Sequence, residues 1–333
     1  MSPQRSVVYS AMRPTGRLHL GNLEGALRSL VALQRDRDLF IGIADLHMLT
    51  DHSEETGEVR ANVMELALDY LAAGIDPEHS VMHVQSEVPQ HAELHLILSM
   101  ITPVSWLERS PTYKERLEEQ HISAPGYGLL GYPVLQTADI LVYRADTVPV
   151  GKDQLPHLEL SREIARRFNR MYAEIFPEPQ PYLTEAPLVP GSDGRKMSKS
   201  YGNTIEMAAT PDAIRAILRK YLTDPQKVRK GDKGRPEICP IFALHRIYNK
   251  GEENEIATDC RSGALGCVDC KGKLGTALLA ALEPIQERRR EFERDADAVA
   301  GLLHEGSARA RGVAEETMTA VRGAMSMWSP ANS

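Results

Sequence analysis

The stretch VVYSAMRPTGRLHLGNLEGALRSLVALQR (residues 7–35) decides the fold. Residues 7–12 form a short apolar run that reads as a strand. From Gly21 to Arg35, the residues Leu23, Ala26, Leu27, Leu30 and Leu33 recur on one helical face. Between them lies Pro14-Thr15-Gly16-Arg17-Leu18-His19-Leu20-Gly21-Asn22. Strand, turn and helix in that order open a parallel βαβ unit. The turn falls at the carboxyl end of the strand, where such sheets bind ligands. A helix beginning there offers free backbone N–H groups to a phosphate. His19 adds an imidazole donor, and Gly21 removes a side chain where a planar base could stack. Taken alone, the segment reads equally as a turn with one surface histidine.

The alternation continues outward. Residues 39–49, 80–86 and 147–150 read as strands, and residues 60–73, 92–100 and 155–172 as helices, with Gly74 a stop signal. Residues 177–204 are rich in Pro, Gly, Ser and Lys and read as a loop. From Pro211 the pattern is helical, over 211–222, 240–249 and 272–326, with breaks expected near Pro284 and Gly306. The spacing predicts an α/β fold. A Rossmann-like parallel-sheet catalytic domain spans 1–204, and an all-helical domain spans 205–328. The chain has 333 residues, enough for two such units. Charged residues make up 26% and the net charge is −7, which excludes a chain that coats nucleic acid through net charge but allows a local basic face. No run of about 18 apolar residues exists to span a membrane. The N-terminus has no long apolar segment of the kind a signal peptide carries, so the expected location is cytoplasmic.

A second segment, Gly191-Ser192-Asp193-Gly194-Arg195-Lys196-Met197-Ser198-Lys199-Ser200, lies about 180 residues after the first. Two glycines suit a mobile loop, and ammonium groups on it suit charge that moves onto a leaving pyrophosphate. His19-Leu20-Gly21-Asn22 resembles the HIGH signature of class I aminoacyl-tRNA synthetases, with Asn for the last His. Lys196 to Ser200 is similar to the KMSKS signature in full. Within that class the chain resembles the bacterial tryptophanyl-tRNA synthetase family. The matching residues are Met12 to Gly16, Ala44-Asp45-Leu46-His47, Tyr132 to Leu135 with Ala138 to Leu141, and Val148 to Gln154, continued by His157 to Arg162.

The resemblance implies that L-tryptophan attacks the α-phosphate of ATP, with Mg²⁺ bridging the phosphates, and that the adenylate then acylates tRNA(Trp). It also implies a homodimer. Catalytic roles fall to His19, Lys196 and Lys199. ATP would be held by Arg13, Pro14, Thr15, Gly16, His19, Gly21 and Asn22, by Lys114, by Gly151, Lys152 and Asp153, and by Lys196, Met197, Ser198 and Lys199. The tryptophan pocket would comprise Tyr9, Gln136, Asp139, Val148, Val150 and Gln154. In it Asp139 accepts the indole N–H, and a buried carboxylate there rejects phenylalanine. Gln136 gives the spacing Tyr132-x3-Gln136-x2-Asp139, also found in tyrosyl-tRNA synthetases. A tyrosine enzyme is therefore the first alternative, and a tRNA- or partner-binding paralogue with weak catalysis the second.

All four cysteines fall between positions 239 and 270, as Cys239-x20-Cys260-x6-Cys267-x2-Cys270. On ligand count four thiolates suit zinc or an iron–sulfur cluster equally. A subset of the bacterial tryptophanyl enzymes resembles this pattern and implies a [4Fe–4S] cluster, with zinc as the alternative. Arg215, Arg219, Lys220, Lys227, Arg229, Lys230, Lys233 and Arg235 lie just before the first cysteine, and Arg288, Arg289 and Arg290 come later, a basic set suited to tRNA phosphates.

Overall fold

The computed structural model describes residues 5–50, 53–54, 56–110, 113–114, 125–151, 154–183 and 187–328. Among these, five parallel strands form one sheet in the order β3-β2-β1-β4-β5: β1 is Val7–Met12, β2 Asp38–Ile43, β3 Ser80–Val84, β4 Thr147–Val150 and β5 Gln180–Leu183. β1 and β2 pair along their whole length, from Val7 against Asp38 to Met12 against Ile43. β1 and β4 meet at Val8 and Thr147. That junction is where the strand order reverses, and a crevice opens at the carboxyl ends there.

The helical segment α1 covers residues 20–33, with a wider π-type turn over Leu23–Leu27. Short α2 is Asp45–Met48, α3 Val59–Ala73, α4 Gln90–Ile101 and α5 Val104–Glu108. α6 is Tyr127–Leu141, a helix that periodicity does not announce. It is buried nearly all round from Leu129 onward, so it has no polar face to mark the 3.6-residue period, and Pro133 sits inside it. α7 is Leu155–Met171, which exposes a basic and acidic face. β5 falls inside the stretch read as loop: its residues are all exposed, and pairing with β4 alone makes it a strand. The run read as one strand over 39–49 ends at Ile43, and α2 follows.

Beyond the second signature come α8 Pro211–Lys220, α9 Pro240–Tyr248, α10 Glu253–Ser262, α11 Cys267–Glu293 and α12 Ala296–Ala324. The break between the last two lies at 294–295, not at Pro284 or Gly306. Asp295 caps α12 by accepting from the Ala298 N–H, which fixes the restart. Pro284 lies within α11 between the buried Leu282 and Ile285. Gly306 stays helical because α12 lies directly on β3: a Cβ there would stand 1.8 Å from the Met82 carbonyl oxygen. Ser307 Oγ accepts from Val84 N at 3.1 Å. Ala310, Ala314, Met318 and Val321 of α12 share a buried cluster with Tyr9, Phe40 and Tyr143, so the last helix completes the layer over the sheet. No helix among the described residues is long and apolar enough to cross a membrane.

Candidate functional site

The crevice at the strand reversal holds a cavity of about 320 Å³. Its walls come from the end of β1 (Tyr9 to Arg13), from Ala44 and His47, from Tyr132, Gln136 and Asp139 of α6, and from Val148 to Gly151 with Gln154. All six residues expected to line an amino acid pocket, Tyr9, Gln136, Asp139, Val148, Val150 and Gln154, face this one space. Parting of β1 and β4 beyond Val8 makes the slot. Val148 and Val150 alternate along β4 onto the same face.

Asp139 is 2% exposed. A bare carboxylate at that depth is costly, and three donors surround it. Gln85 Nε2 donates to Oδ1 at 2.7 Å, His91 Nδ1 lies 2.7 Å from Oδ1, and His47 Nε2 lies 2.9 Å from Oδ2. Burial alone would raise its pKa, but the His91 and His47 imidazoles hold the carboxyl far below the usual carboxylate range. Behind it the string continues. His91 Nε2 lies 2.7 Å from the Tyr143 hydroxyl, which lies 3.2 Å from His83 Nε2. Burial, then His91, pushes His83 down to about 3. Of these supports only His47 stands in a motif quoted from the sequence. His83 lies on β3, Gln85 just past its end and His91 on α4, far in sequence from Asp139, and Tyr143 lies in the turn after α6.

The two signatures meet beyond the end of β1, outside the residues that line the cavity. Lys199 Nζ donates to the carbonyls of Thr15 at 3.1 Å and Gly16 at 2.9 Å, and to Thr15 Oγ1 at 3.3 Å. Gly16 has φ +95°, which turns its carbonyl toward that ammonium at a backbone angle suited to glycine. Leu20 N donates to Ile205 O at 3.0 Å, and Met207 N donates to Leu18 O at 2.9 Å. Residues 18–20 and 205–207 therefore run side by side. His19 opens α1, and its backbone N–H donates to Asn22 Oδ1 at 3.1 Å. Burial and then the Lys199 charge lower its pKa to about 4. The imidazole is neutral at physiological pH, and its buried Nδ1 has no hydrogen-bond partner among the described residues.

At Gly21 a Cβ would meet the His19 ring at 2.9 Å and Met197 Cβ at 3.5 Å, so the glycine lets both side chains approach the helix backbone. Gly191 likewise serves close approach rather than mobility, because a Cβ would stand 2.2 Å from the Asn203 amide. Asn203 organises the second signature. Its Oδ1 accepts from Ser198 N at 2.9 Å, and its Nδ2 donates to Asp193 Oδ1 at 2.7 Å and Lys196 O at 3.2 Å. Met197 is buried, and its expected contact with ATP would be through backbone. Lys196 is exposed at the loop. Arg13 and Gly151 line the cavity. Lys114 is exposed and stands outside its lining, and Lys152 and Asp153 lie outside the described residues.

The four thiols gather as expected. Cys239, Cys260, Cys267 and Cys270 line a single small pocket with Ile241 and Leu265. Burial, then the three neighbouring cysteines, pushes the Cys270 thiol up to about 12. Among the described residues, no three His, Cys, Asp or Glu side chains are placed to hold a metal ion. The arrangement therefore supports neither zinc nor an iron–sulfur cluster by itself.

Several basic residues expected on a tRNA face point inward. Lys227 Nζ donates to the carbonyls of Asp232 at 2.8 Å and Cys260 at 3.1 Å. Arg288 donates to Ala72 O at 2.8 Å, whereas Arg235 pairs with the buried Asp224 while staying exposed itself. Arg289 is 3% exposed and ion-paired. Arg219, Lys220, Arg229, Lys230 and Lys233 remain on the exterior.

Comparison with known proteins bears on this geometry. The family model for class I tRNA synthetases of the W and Y type matches residues 1–283. A tryptophan–tRNA ligase of Thermotoga maritima is 46% identical, covering 96% of this chain and 99% of that protein. One of Aquifex aeolicus is 44% identical with the same coverage. The crystal structure of a Campylobacter jejuni tryptophanyl-tRNA synthetase, complexed with ADP and tryptophan, superposes with a TM-score of 0.87 at 33% identity, covering 96% of this chain and all of that one.

Proposed function

Because the chain belongs to the class I tRNA synthetases of the tryptophan and tyrosine type, we infer from its relatives and its site that it acts as a tryptophan–tRNA ligase. It activates L-tryptophan with ATP to the adenylate, releasing pyrophosphate, and passes the aminoacyl group to tRNA(Trp), releasing AMP. The observation that carries the residue assignments is the cavity itself. An ionised, buried acceptor, Asp139, closes one wall of a slot whose other walls include Val148 and Val150. That pairing of an apolar slot with one charged acceptor suits an indole N–H.

The tryptophan carboxylate would then lie toward the phosphate loop at Thr15 to His19. Neutral His19 can donate to a phosphate oxygen without adding charge before reaction. Lys199 supplies a positive charge where pyrophosphate develops its own. Its present acceptors, Thr15 O and Gly16 O, show that the ammonium reaches the first loop. Binding and orientation do most of the work, since the reaction requires no protein nucleophile. Mg²⁺ on the ATP phosphates would withdraw charge from the leaving group.

The helical portion from residue 205 is proposed to contact the tRNA, with the surviving exterior lysines and arginines on phosphates. An iron–sulfur cluster at the cysteines is proposed as well. Each thiolate of a [4Fe–4S] cube binds a different iron, so its ligands need not converge on one point, and four sulfurs about one pocket are the right donor set. A homodimer is proposed as well, with Leu96, Met100, Val104 and Tyr127, each more than half exposed, as candidate contacts. The expected setting is the cytoplasm.

ATP–pyrophosphate exchange with tryptophan and with tyrosine tests the reading. Exchange with tryptophan at least about 100-fold more efficient is expected, since a polar pocket built for one side chain rejects another strongly. Preference for tyrosine overturns it. Protein purified without oxygen should be brown with about four irons; a colourless protein holding one zinc overturns the cluster.

A further inference from the structure

Helix α11 runs 27 residues without interruption, from Cys267 at the thiol pocket to Glu293. Its far end is buried against the loop that carries the first signature. Arg289 donates from Nη1 to Asp69 Oδ1 and from Nη2 to Glu65 Oε2 at 2.5 Å. Asp69, buried on α3, uses its other oxygen to accept from the backbone N–H of Leu18 at 2.6 Å. Glu65 Oε2 also accepts from Arg17 Nε at 2.8 Å. Residues 17 and 18, immediately before His19, are thus held by two carboxylates that one buried guanidinium binds together. Three residues earlier and on the same helical face, Gln286 Nε2 donates to Met207 O at 2.9 Å and Ala209 O at 3.0 Å. Residues 205–207 are the strip that pairs with residues 18–20. One helix face therefore grips both strips flanking His19.

We propose that Arg289 is a positioning residue for ATP activation: through Asp69 it fixes the backbone of Leu18 and through Glu65 the side chain of Arg17, and so the height of His19 and the Thr15–Gly16 turn above the crevice, with Gln286 steadying the facing strip. A guanidinium has the fork needed to bridge two carboxylates, and an ammonium binds as a point charge. Asp69 needs the pairing, because burial pushes its carboxyl up while Arg289 pulls it down. The set also runs mechanically to α11's other end, where Lys271 Nζ binds the carbonyls of Arg219 and Tyr221 at 2.8 Å. Displacement of this rod by whatever binds the helical portion would be felt at Leu18.

The inference rests on the reading that residues 15–19 face the phosphates, and one experiment separates the two. ATP–pyrophosphate exchange is measured on the whole protein for Arg289→Met, Arg289→Lys, Gln286→Ala and His19→Ala. In Arg289→Met the KM for ATP is expected to rise about tenfold, with the KM for tryptophan within about twofold of wild type, and Arg289→Lys is expected to recover part of the loss. A role in folding alone lowers the active fraction and leaves both KM values unchanged, which overturns the proposal. If Arg289→Met does not fold, Arg289→Lys and Gln286→Ala decide on the same criterion of ATP against tryptophan. If His19→Ala changes ATP use and the variants at 289 and 286 do not, only this inference fails. If His19→Ala leaves ATP use unchanged, the reading of the loop fails with it.

Discussion

Replacing Asp139 by Asn tests the amino acid pocket at its centre. An ionised carboxylate offers about four lone-pair sites. Gln85 and His91 take both on Oδ1, His47 takes one on Oδ2, and one site on Oδ2 is left for a ligand. Asparagine has a single acceptor oxygen. If that oxygen keeps Gln85 and His91, the NH₂ group is turned toward His47 and the ligand, and an indole N–H then meets a donor. If the amide is reversed, the NH₂ group faces Gln85 and His91, which are both donors. Either orientation leaves at least one buried polar group unpaired and removes a charge-assisted bond to the substrate, worth about 1.5–3 kcal/mol. Tryptophan-dependent kcat/KM should therefore fall by roughly 10- to 100-fold, while the KM for ATP stays within about twofold. The assay is ATP–pyrophosphate exchange at saturating levels of the other substrate, with tryptophan affinity also measured without ATP. Equal losses for both substrates, or unchanged tryptophan affinity, would refute the assignment of Asp139 to the indole.

Lys199→Ala should lower the rate of adenylate formation on the order of 100-fold by single-turnover measurement, because a charge met only in the transition state is lost; a rate within twofold of wild type removes that role. His83 carries a pH signature. Its native pKa is about 3, below the 6.5 of an unfolded histidine, so the unfolded chain binds the proton first and stability falls as pH drops from 6.5 toward 3. At pH 5 that costs about 2 kcal/mol relative to pH 7, and His83→Gln should lose that much less between the two in urea unfolding. An unchanged pH dependence refutes it. Gly306→Ala should destabilise by about 1–3 kcal/mol or more, since its Cβ would strike the Met82 carbonyl, a backbone atom that cannot swing away; an unchanged melting temperature would show that α12 does not rest on β3.

The six pocket residues were proposed from the resemblance to the tryptophanyl-tRNA synthetases, while the sequence by itself determined the alternating strands and helices and the order of the two signatures. These are carried by local patterns: a two- or 3.6-residue period, a glycine turn, a spaced motif. α6 was not legible, although Asp139 lies on it, because a helix buried on every side has no periodicity to read. β5 was not legible because an exposed strand is made by its neighbour's hydrogen bonds and not by its own residues. The break between α11 and α12 moved from Pro284 and Gly306 to Asp295, since packing on β3 held Gly306 in the helix. The supports of Asp139, and the inward turn of Lys227 and Arg289, belonged to tertiary structure alone. A charge reads as surface in a sequence, and only the fold decides that Asp69, 220 positions away, stands ready to neutralise Arg289.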